Sequence, residues 1–269
     1  MTNYLPAIAV ACLYFAASYL LFISLREPAN LADGTRSGKR PALWIAGLAA
    51  LAHAFIDFAR SGFPEAVSLP FFTAFSVTLW FIVVIQLLMC IRHPADYLGL
   101  AIYPLAAIAL LASVWSGSES QTLSAALQMH VLLSITAYAV LALAAAQAIL
   151  VLVQRRFLNN HQPGGFMRAL PPLTSTESLL FLLLRVGFVL LTLSLASGFV
   201  FLEDMFAQHL VHKTVLSCVA WLIFAVLQFG MWRFGWRGTR LVGWVLGGFA
   251  ALLIAYFGSK LVLELILQR

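Results

Sequence analysis

The stretch from Leu127 to Val153 is LQMHVLLSITAYAVLALAAAQAILVLV, and it contains no Asp, Glu, Lys or Arg. A transmembrane helix needs roughly 20 consecutive apolar residues, so this stretch is long enough to cross a bilayer. The rest of the chain is similar in character, since 62% of its 269 residues are hydrophobic and only 10% are charged. Soluble domains are about 25% charged. The composition excludes a soluble globular protein, a disordered chain and a secreted disulfide scaffold, and it predicts a polytopic membrane protein.

Apolar runs elsewhere in the chain, with polar breaks between them, predict an all-α membrane bundle of about eight transmembrane helices. The loops leave no room for a further folded domain, so we expect one integral membrane domain over residues 1–269. The first run has no preceding Lys or Arg and no small-residue cleavage site, which favours a retained helix over a signal peptide. The predicted spans are 5–25, 42–59, 69–91, 97–115, 127–153, 177–202, 212–232 and 241–266.

Basic residues are concentrated in alternate loops. Of the 16 Lys and Arg residues, eleven fall in the odd-numbered loops, and only Arg60 and Lys213 fall in the even-numbered ones. Because positive loops stay in the cytoplasm, both termini are expected to face outward. The net charge of +6 therefore reflects cytoplasmic loops, and we expect no nucleic-acid partner. The eleven are Arg26, Arg36, Lys39, Arg40, Arg92, Arg155, Arg156, Arg168, Arg233, Arg237 and Arg240.

Small residues at a spacing of four predict close helix packing in two spans. Gly243 and Gly247 form a GxxxG pair in span eight, and Ser194 and Gly198 form a comparable pair in span six. The longest loop, about 155–176, contains several Pro and Gly residues and is predicted to be an irregular connector.

Four of the six histidines lie toward the outer face in this topology: His53, His130, His209 and His212. His53 is about two turns below the outer end of span two, and Asp57 follows it by four residues on the same helix face. A carboxylate in that position can accept an imidazole N–H and fix the tautomer of the ring.

The outer end of span five carries a second polar group. His130, Ser134 and Tyr138 form a stripe at a spacing of four, and Lys213 follows the His209–His212 pair at the start of span seven. Ionisable groups at membrane depth are costly and usually face a cavity or a partner. The competing interpretation is that all four outward histidines make only local hydrogen bonds.

An apolar bundle with imidazoles at one end fits haem b, whose ring is apolar and whose iron takes one or two imidazoles. Lys213 or Lys260 could then meet the haem propionates. A first-row metal ion and a proton or ion path also stay open, although no HxxxH or HExxH spacing supports a zinc site. The three cysteines lie in apolar runs without a CxxC or CxxCH motif. Since no pattern in the sequence pairs a nucleophile with a general base, we expect no catalytic residues and no enzyme.

Several segments of the sequence resemble those of a known protein family. The segment HVLLSITAY from His130 is similar to the opening of the cytochrome c assembly protein domain of the CcsA, CcmC and CcmF haem-handling proteins. The C-terminal half resembles in particular the YpjD- and HemX-like inner-membrane branch. The similar segments there are SGFVFLEDMF from Ser197, HLVHKTVLS from His209, GWRG from Gly235 and YFGSK from Tyr256.

The resemblance implies a bacterial inner-membrane protein that handles haem on its periplasmic side. His130 matches the outward histidine that precedes the family's tryptophan-rich segment, and His53 matches a membrane-embedded histidine. That tryptophan-rich segment is absent here, and 199–213 stands in its place. The resemblance also permits a non-catalytic partner subunit of another membrane protein, for example a CorC-type ion transporter. A small transporter is the remaining alternative.

The positions of the span ends select the iron ligands. His130 opens span five and His212 opens span seven on the same face, so their side chains are expected at one depth. We therefore predict His130 as the principal haem-iron ligand, with His212 or His209 opposite it. His53, oriented by Asp57, is the deeper or alternative ligand.

Overall fold

The computed structural model describes residues 4–26, 38–61, 70–115, 124–160, 170–201 and 211–258. These residues form helices and no strands. A 3-10 turn, Asp96–Leu98, precedes the fourth helix, and a π-helical turn, Ile254–Gly258, follows the eighth. The helices are α1 Tyr4–Arg26, α2 Lys39–Ser61, α3 Phe71–Met89, α4 Gly99–Trp115, α5 Ala125–Asn159, α6 Leu173–Phe201, α7 Val211–Phe234 and α8 Thr239–Leu253.

Within the described residues, eight helices are long and apolar enough to cross a membrane once these two turns are counted with α4 and α8. This confirms the all-α bundle of eight spans. Contacts group the helices into two compact units, α1–α4 and α5–α8. The outward orientation of the termini and the single domain over 1–269 stay predictions.

In the first unit, α1 packs against α2 and α4, and α3 packs against the same two helices. The buried face of α1 repeats at helical spacing through Ala7, Ala11, Tyr14, Ser18 and Leu21. Its small residues let neighbouring backbones approach, and they leave room for one large polar ring, that of Tyr14, at the centre. Tyr14 is fully buried.

In the second unit, α5 packs against α6 and α8, and α7 packs against α6 and α8. The α5–α6 contact is close, because a Cβ added at Gly187 would lie 2.6 Å from Leu141 Cδ2. The Trp221 indole N–H donates to Thr192 Oγ1 at 2.9 Å and fixes α7 against α6. Side-chain positions along α5 are therefore tightly determined by α6.

The predicted irregular connector 155–176 is wrong at both ends. Helix α5 continues to Asn159, and α6 already begins at Leu173. The extension is stabilised by a fork of hydrogen bonds from Arg155 to Glu177 Oε1, at 3.1 Å from Nε and 2.5 Å from Nη2. The ion pair neutralises one charge on each helix. Both helices therefore extend beyond the ends of their apolar runs.

The GxxxG pair of span eight does not pack as predicted against the helices described here. Gly243 and Gly247 are exposed, and no atom lies within 4 Å of a Cβ added at either. The close approach is made instead by Gly248, where an added Cβ would lie 2.9 Å from Phe224 Cζ. The small-residue pair of span six does pack inward, since Ser194 and Gly198 are both buried.

Candidate functional site

His130 lies in the second turn of α5, after Ser124 caps the helix by accepting the Leu127 N–H at 3.4 Å. Its Nδ1 is 2.9 Å from Ser197 Oγ on α6. Ser197 Oγ is also 2.7 Å from the carbonyl oxygen of Ser194. A carbonyl only accepts, so the single hydroxyl proton of Ser197 is committed to it, and the proton on the other contact belongs to Nδ1.

This assignment leaves Nε2 of a neutral His130 with a lone pair. Among the described residues, Ser197 is the side chain that bonds the ring, at Nδ1, and the Ser194 backbone also lies within reach of the imidazole. The side chain is half-buried. An imidazole whose Nδ1–H is held by an oxygen, with its Nε2 open, has the arrangement of a histidine prepared to bind a metal.

Two further serine contacts hold His130 in place. Ser134 Oγ donates to the His130 carbonyl at 2.7 Å and lies 2.7 Å from Ser194 Oγ. Ser194 and Ser197 were not identified as site residues from the sequence. The predicted small-residue pair, which includes Ser194, indicated only that this face of α6 packs inward. These serine hydrogen bonds fix the register of α5 against α6 at the depth of His130.

Tyr138, the lowest member of the predicted stripe, contacts two other helices. Its side chain lies within interaction distance of that of Ser217 on α7. Its ring lies 5.5 Å from the ring of Tyr256, measured between centroids. Tyr138 therefore joins α5 to the first half of α7 below His130.

His53 lies in the first unit and is fully buried. Its Nδ1 is 3.2 Å from the Tyr14 hydroxyl, and its Nε2 is 2.8 Å from Ser76 Oγ and 3.2 Å from Asp57 Oδ2. Ser76 donates to Asp57 Oδ2 at 2.9 Å. The predicted pairing of His53 with Asp57 is present, and Ser76 bridges it.

The protonation of the His53 ring follows from the bridge. Since Ser76 gives its one proton to Asp57, its contact with His53 requires a proton on Nε2. Nδ1 faces the Tyr14 hydroxyl. Both nitrogens of His53 are thus engaged by protein groups, in contrast to the open Nε2 of His130.

A second buried network of the first unit was also missed from the sequence. The Tyr103 hydroxyl donates to Gln86 Oε1 at 3.0 Å, and Gln86 Nε2 donates to the Ala95 carbonyl at 3.1 Å. Lys39 forms an ion pair with Asp96 at 2.8 Å. Neither Tyr14 nor Tyr103 shows a local signal, because each falls within an otherwise apolar helix face.

The remaining predicted site residues belong to α7 and the segment before it. His212 lies in the first turn of α7 and Lys213, half-buried, follows it. His209 and the side chain of His212 lie outside the described residues. Within the described ranges, no group of three or more His, Cys, Asp or Glu side chains could hold a metal ion. Iron ligation by His130 and His212 therefore stays a prediction.

Comparison with known proteins gives a consistent family. The model of the family described as cytochrome C assembly protein matches residues 41–267. The inner membrane protein YpjD of Escherichia coli K12 is 38% identical over 138 residues, which cover 51% of this chain and 52% of that protein. A 28.8 kDa protein of Azospirillum brasilense is 31% identical over 143 residues, covering 52% of this chain and 53% of its own.

This chain spans about half the length of the curated relatives it matches. No solved structure matches it significantly. The eight helices of the described ranges that can cross a membrane, together with the inner-membrane relative, make this chain a multi-pass inner-membrane protein in contact with the lipid bilayer. Because the family model covers most of its length, from residue 41 to residue 267, the chain belongs to the cytochrome c assembly protein family.

Proposed function

We propose that this chain is an integral inner-membrane haem-handling accessory protein that binds haem b on the periplasmic side and has no catalytic turnover of its own. The proposal rests on the hydrogen bonding of the His130 ring. Its Nδ1–H is held by Ser197, which leaves the lone pair of a neutral ring on Nε2. Haem iron is commonly held by the nitrogen of a neutral imidazole.

The length of α5 supports a site near one membrane surface. His130 and Arg155 are 25 residues apart on this helix, which is about 37 Å at 1.5 Å per residue. The hydrocarbon core is about 30 Å thick. With Arg155 in one headgroup region, His130 lies at the opposite interface, where a haem edge can reach both apolar side chains and water.

The Tyr138–Ser217 contact supports His212 as the partner ligand. His130 lies about 12 Å above Tyr138 along α5, and His212 lies about 7–8 Å above Ser217 along α7. The two histidines thus differ by only about 4–5 Å in depth, which a haem between helix ends can bridge. We propose His209 as the alternative partner and Lys213 as the residue that meets a propionate.

The residues of this end fit haem as one oriented imidazole with an open nitrogen. Bound haem would supply a redox-active iron there. The chain itself contributes the orientation of the ring through Ser197 and the fixed register of α5 on α6. His53 fits less well, since ligation through either nitrogen must displace Tyr14 or the Ser76–Asp57 bridge.

The family description names cytochrome c assembly, and we infer that the haem-handling role serves that process with other inner-membrane proteins as partners. The test is a haem titration of the purified protein, followed by its Soret absorbance. His130→Ala should abolish most of the band. Ser197→Ala, which releases Nδ1, should weaken the affinity by about 10-fold or more.

His93→Ala is the matched control, because it removes an imidazole from the short segment between α3 and α4. Its Soret band should equal that of the unmodified protein. An unchanged spectrum for His130→Ala, or an equal loss for His93→Ala, would reject the assignment.

A second candidate function is a small transporter or ion-pathway protein, and the buried His53–Asp57 pair favours it. Ionisable groups this deep in a membrane bundle are costly and often mark proton or ion paths. Asp57→Asn keeps the shape of the side chain and removes its charge. In proteoliposomes, a cation or proton flux lost in this variant would support the pathway, and the absence of flux in the unmodified protein would exclude it.

A further inference from the structure

The turn between α7 and α8 carries three arginines among aromatic rings. We define the arginine–tryptophan turn as residues 233–240, with the sequence RFGWRGTR. Two glycines with positive φ shape it, Gly235 at 63° and Gly238 at 71°. Gly238 has ψ −145°, a combination that essentially only glycine adopts. The turn is therefore a specified conformation.

Trp236 anchors the turn to the end of α7. Its backbone N–H donates to the Gly230 carbonyl at 3.2 Å. A Cβ added at Gly230 would lie 2.3 Å from the Trp236 ring, so the indole rests directly on the helix backbone. Trp244 packs beside it, with 5.7 Å between ring centroids. The result is a rigid aromatic platform.

The three guanidinium groups lie over aromatic rings. The Arg240 carbon Cζ is 4.2 Å from the Trp236 ring centroid. The Arg237 Cζ is 5.8 Å from the Phe181 centroid, and the Arg233 Cζ is 5.8 Å from the Phe234 centroid. A guanidinium over a ring keeps its N–H donors at its edge, where they match the oxygens of a phosphate.

These charges have no carboxylate among the described residues of their unit. In 124–160, 170–201 and 211–258 the single acidic residue is Glu177, which is held by Arg155. Arg233, Arg237 and Arg240 are all exposed. These three exposed guanidinium groups have oriented N–H donors and no carboxylate partner among the described residues of this region. We therefore expect their counter-ion to be an anion from outside the chain.

The surroundings identify the source of that anion. The turn joins two membrane-crossing helices, so it lies at a membrane surface. Large apolar rings flank the arginines, with Trp232 81% and Phe234 64% exposed. Aromatic rings at the headgroup level and basic clusters beside them are the features that hold anionic lipids.

We propose that the arginine–tryptophan turn binds the phosphodiester headgroup of an anionic phospholipid such as phosphatidylglycerol. Arg240 and Arg237 hold the phosphate, and the exposed rings contact the upper acyl chains. The site is separate from the proposed haem site. A Cβ added at Gly238 would lie 2.9 Å from Arg155 Nη1, which puts the turn at the opposite end of α5 from His130.

The test uses the full chain, delipidated in dodecyl maltoside and titrated with mixed micelles containing phosphatidylglycerol or phosphatidylcholine. The thermal unfolding midpoint is followed at each lipid fraction. Phosphatidylglycerol should stabilise the unmodified protein much more than phosphatidylcholine does. Arg240→Gln should raise the apparent dissociation constant for phosphatidylglycerol at least tenfold, and Arg240→Lys should raise it less.

Arg26→Gln is the matched control, since Arg26 lies over the Phe22 ring at the same 4.2 Å but in the first unit. It should keep the full response. Equal stabilisation by both lipids, an unchanged response of Arg240→Gln, or equal stabilisation by inorganic phosphate alone would overturn the proposal. If Arg240→Gln fails to fold, Arg237→Gln gives the same comparison.

Discussion

Replacing Ser76 with alanine removes the hydroxyl that joins His53 to Asp57. Ser76 is fully buried. Its hydroxyl donates to the Asp57 carboxylate at 2.9 Å and accepts from His53 Nε2 at 2.8 Å. A hydrogen bond to a charged group contributes about 1.5–3 kcal/mol, and a neutral one about 1 kcal/mol.

His53 keeps one partner in the variant, because its Nε2 is also 3.2 Å from Asp57 Oδ2. The loss is therefore mainly that of the bond to the carboxylate. We expect Ser76→Ala to lower the free energy of unfolding by about 1.5–3 kcal/mol. Thermal unfolding in a mild detergent, followed by tryptophan fluorescence, measures the change as a fall of several degrees in the midpoint.

Ser24→Ala is the matched control in the same unit. Ser24 is also buried, but its hydroxyl donates only to the Leu21 carbonyl of its own helix, at 3.0 Å. Its loss should cost about 1 kcal/mol or less. Equal midpoints for the two variants would refute the bridging role. A second refutation would be strict additivity of Ser76→Ala with Asp57→Asn, since members of one network couple.

Three further predictions concern the turn before α8, the half-buried thiol of Cys90 and the orientation of the chain in the membrane. Gly238→Ala should cost about 1–3 kcal/mol of stability because of its backbone conformation, whereas Gly243→Ala should be neutral or stabilising by up to about 1 kcal/mol, as thermal midpoints will report. Burial raises the pKa of the Cys90 thiol to about 12, so alkylation at pH 8 should be about 1,000-fold slower than for an ordinary cysteine, and a denaturant should remove the difference. Alkaline phosphatase fused after Ser118 or after Glu203 should be active, and inactivity of both fusions would reverse the topology.

Most of the fold could be predicted from the sequence because bilayer thickness and helix rise fix how long an apolar run must be. The stretch 127–153 is such a run, and it lies within α5. The ends of α5 and α6 were missed, because the Arg155–Glu177 pair that extends them joins residues 22 positions apart.

The candidate site was predictable only in part. His130 stands out as an ionisable residue at the end of an apolar run, and Asp57 follows His53 at helical spacing. The hydroxyl groups that orient the two rings are Ser197, 67 residues from His130, and Ser76, 23 residues from His53. Buried serines have no local pattern, so the difference between an open and an engaged imidazole appears only after the helices pack.

Haem binding through His130 would give the purified protein a characteristic colour. The most direct measurement is the visible spectrum of the purified protein, as isolated and after addition of one equivalent of haem. We expect a Soret band that shifts on reduction, as for a haem held by imidazole. A preparation that stays colourless after separation from free haem would rule out haem binding and would favour a partner subunit without a ligand.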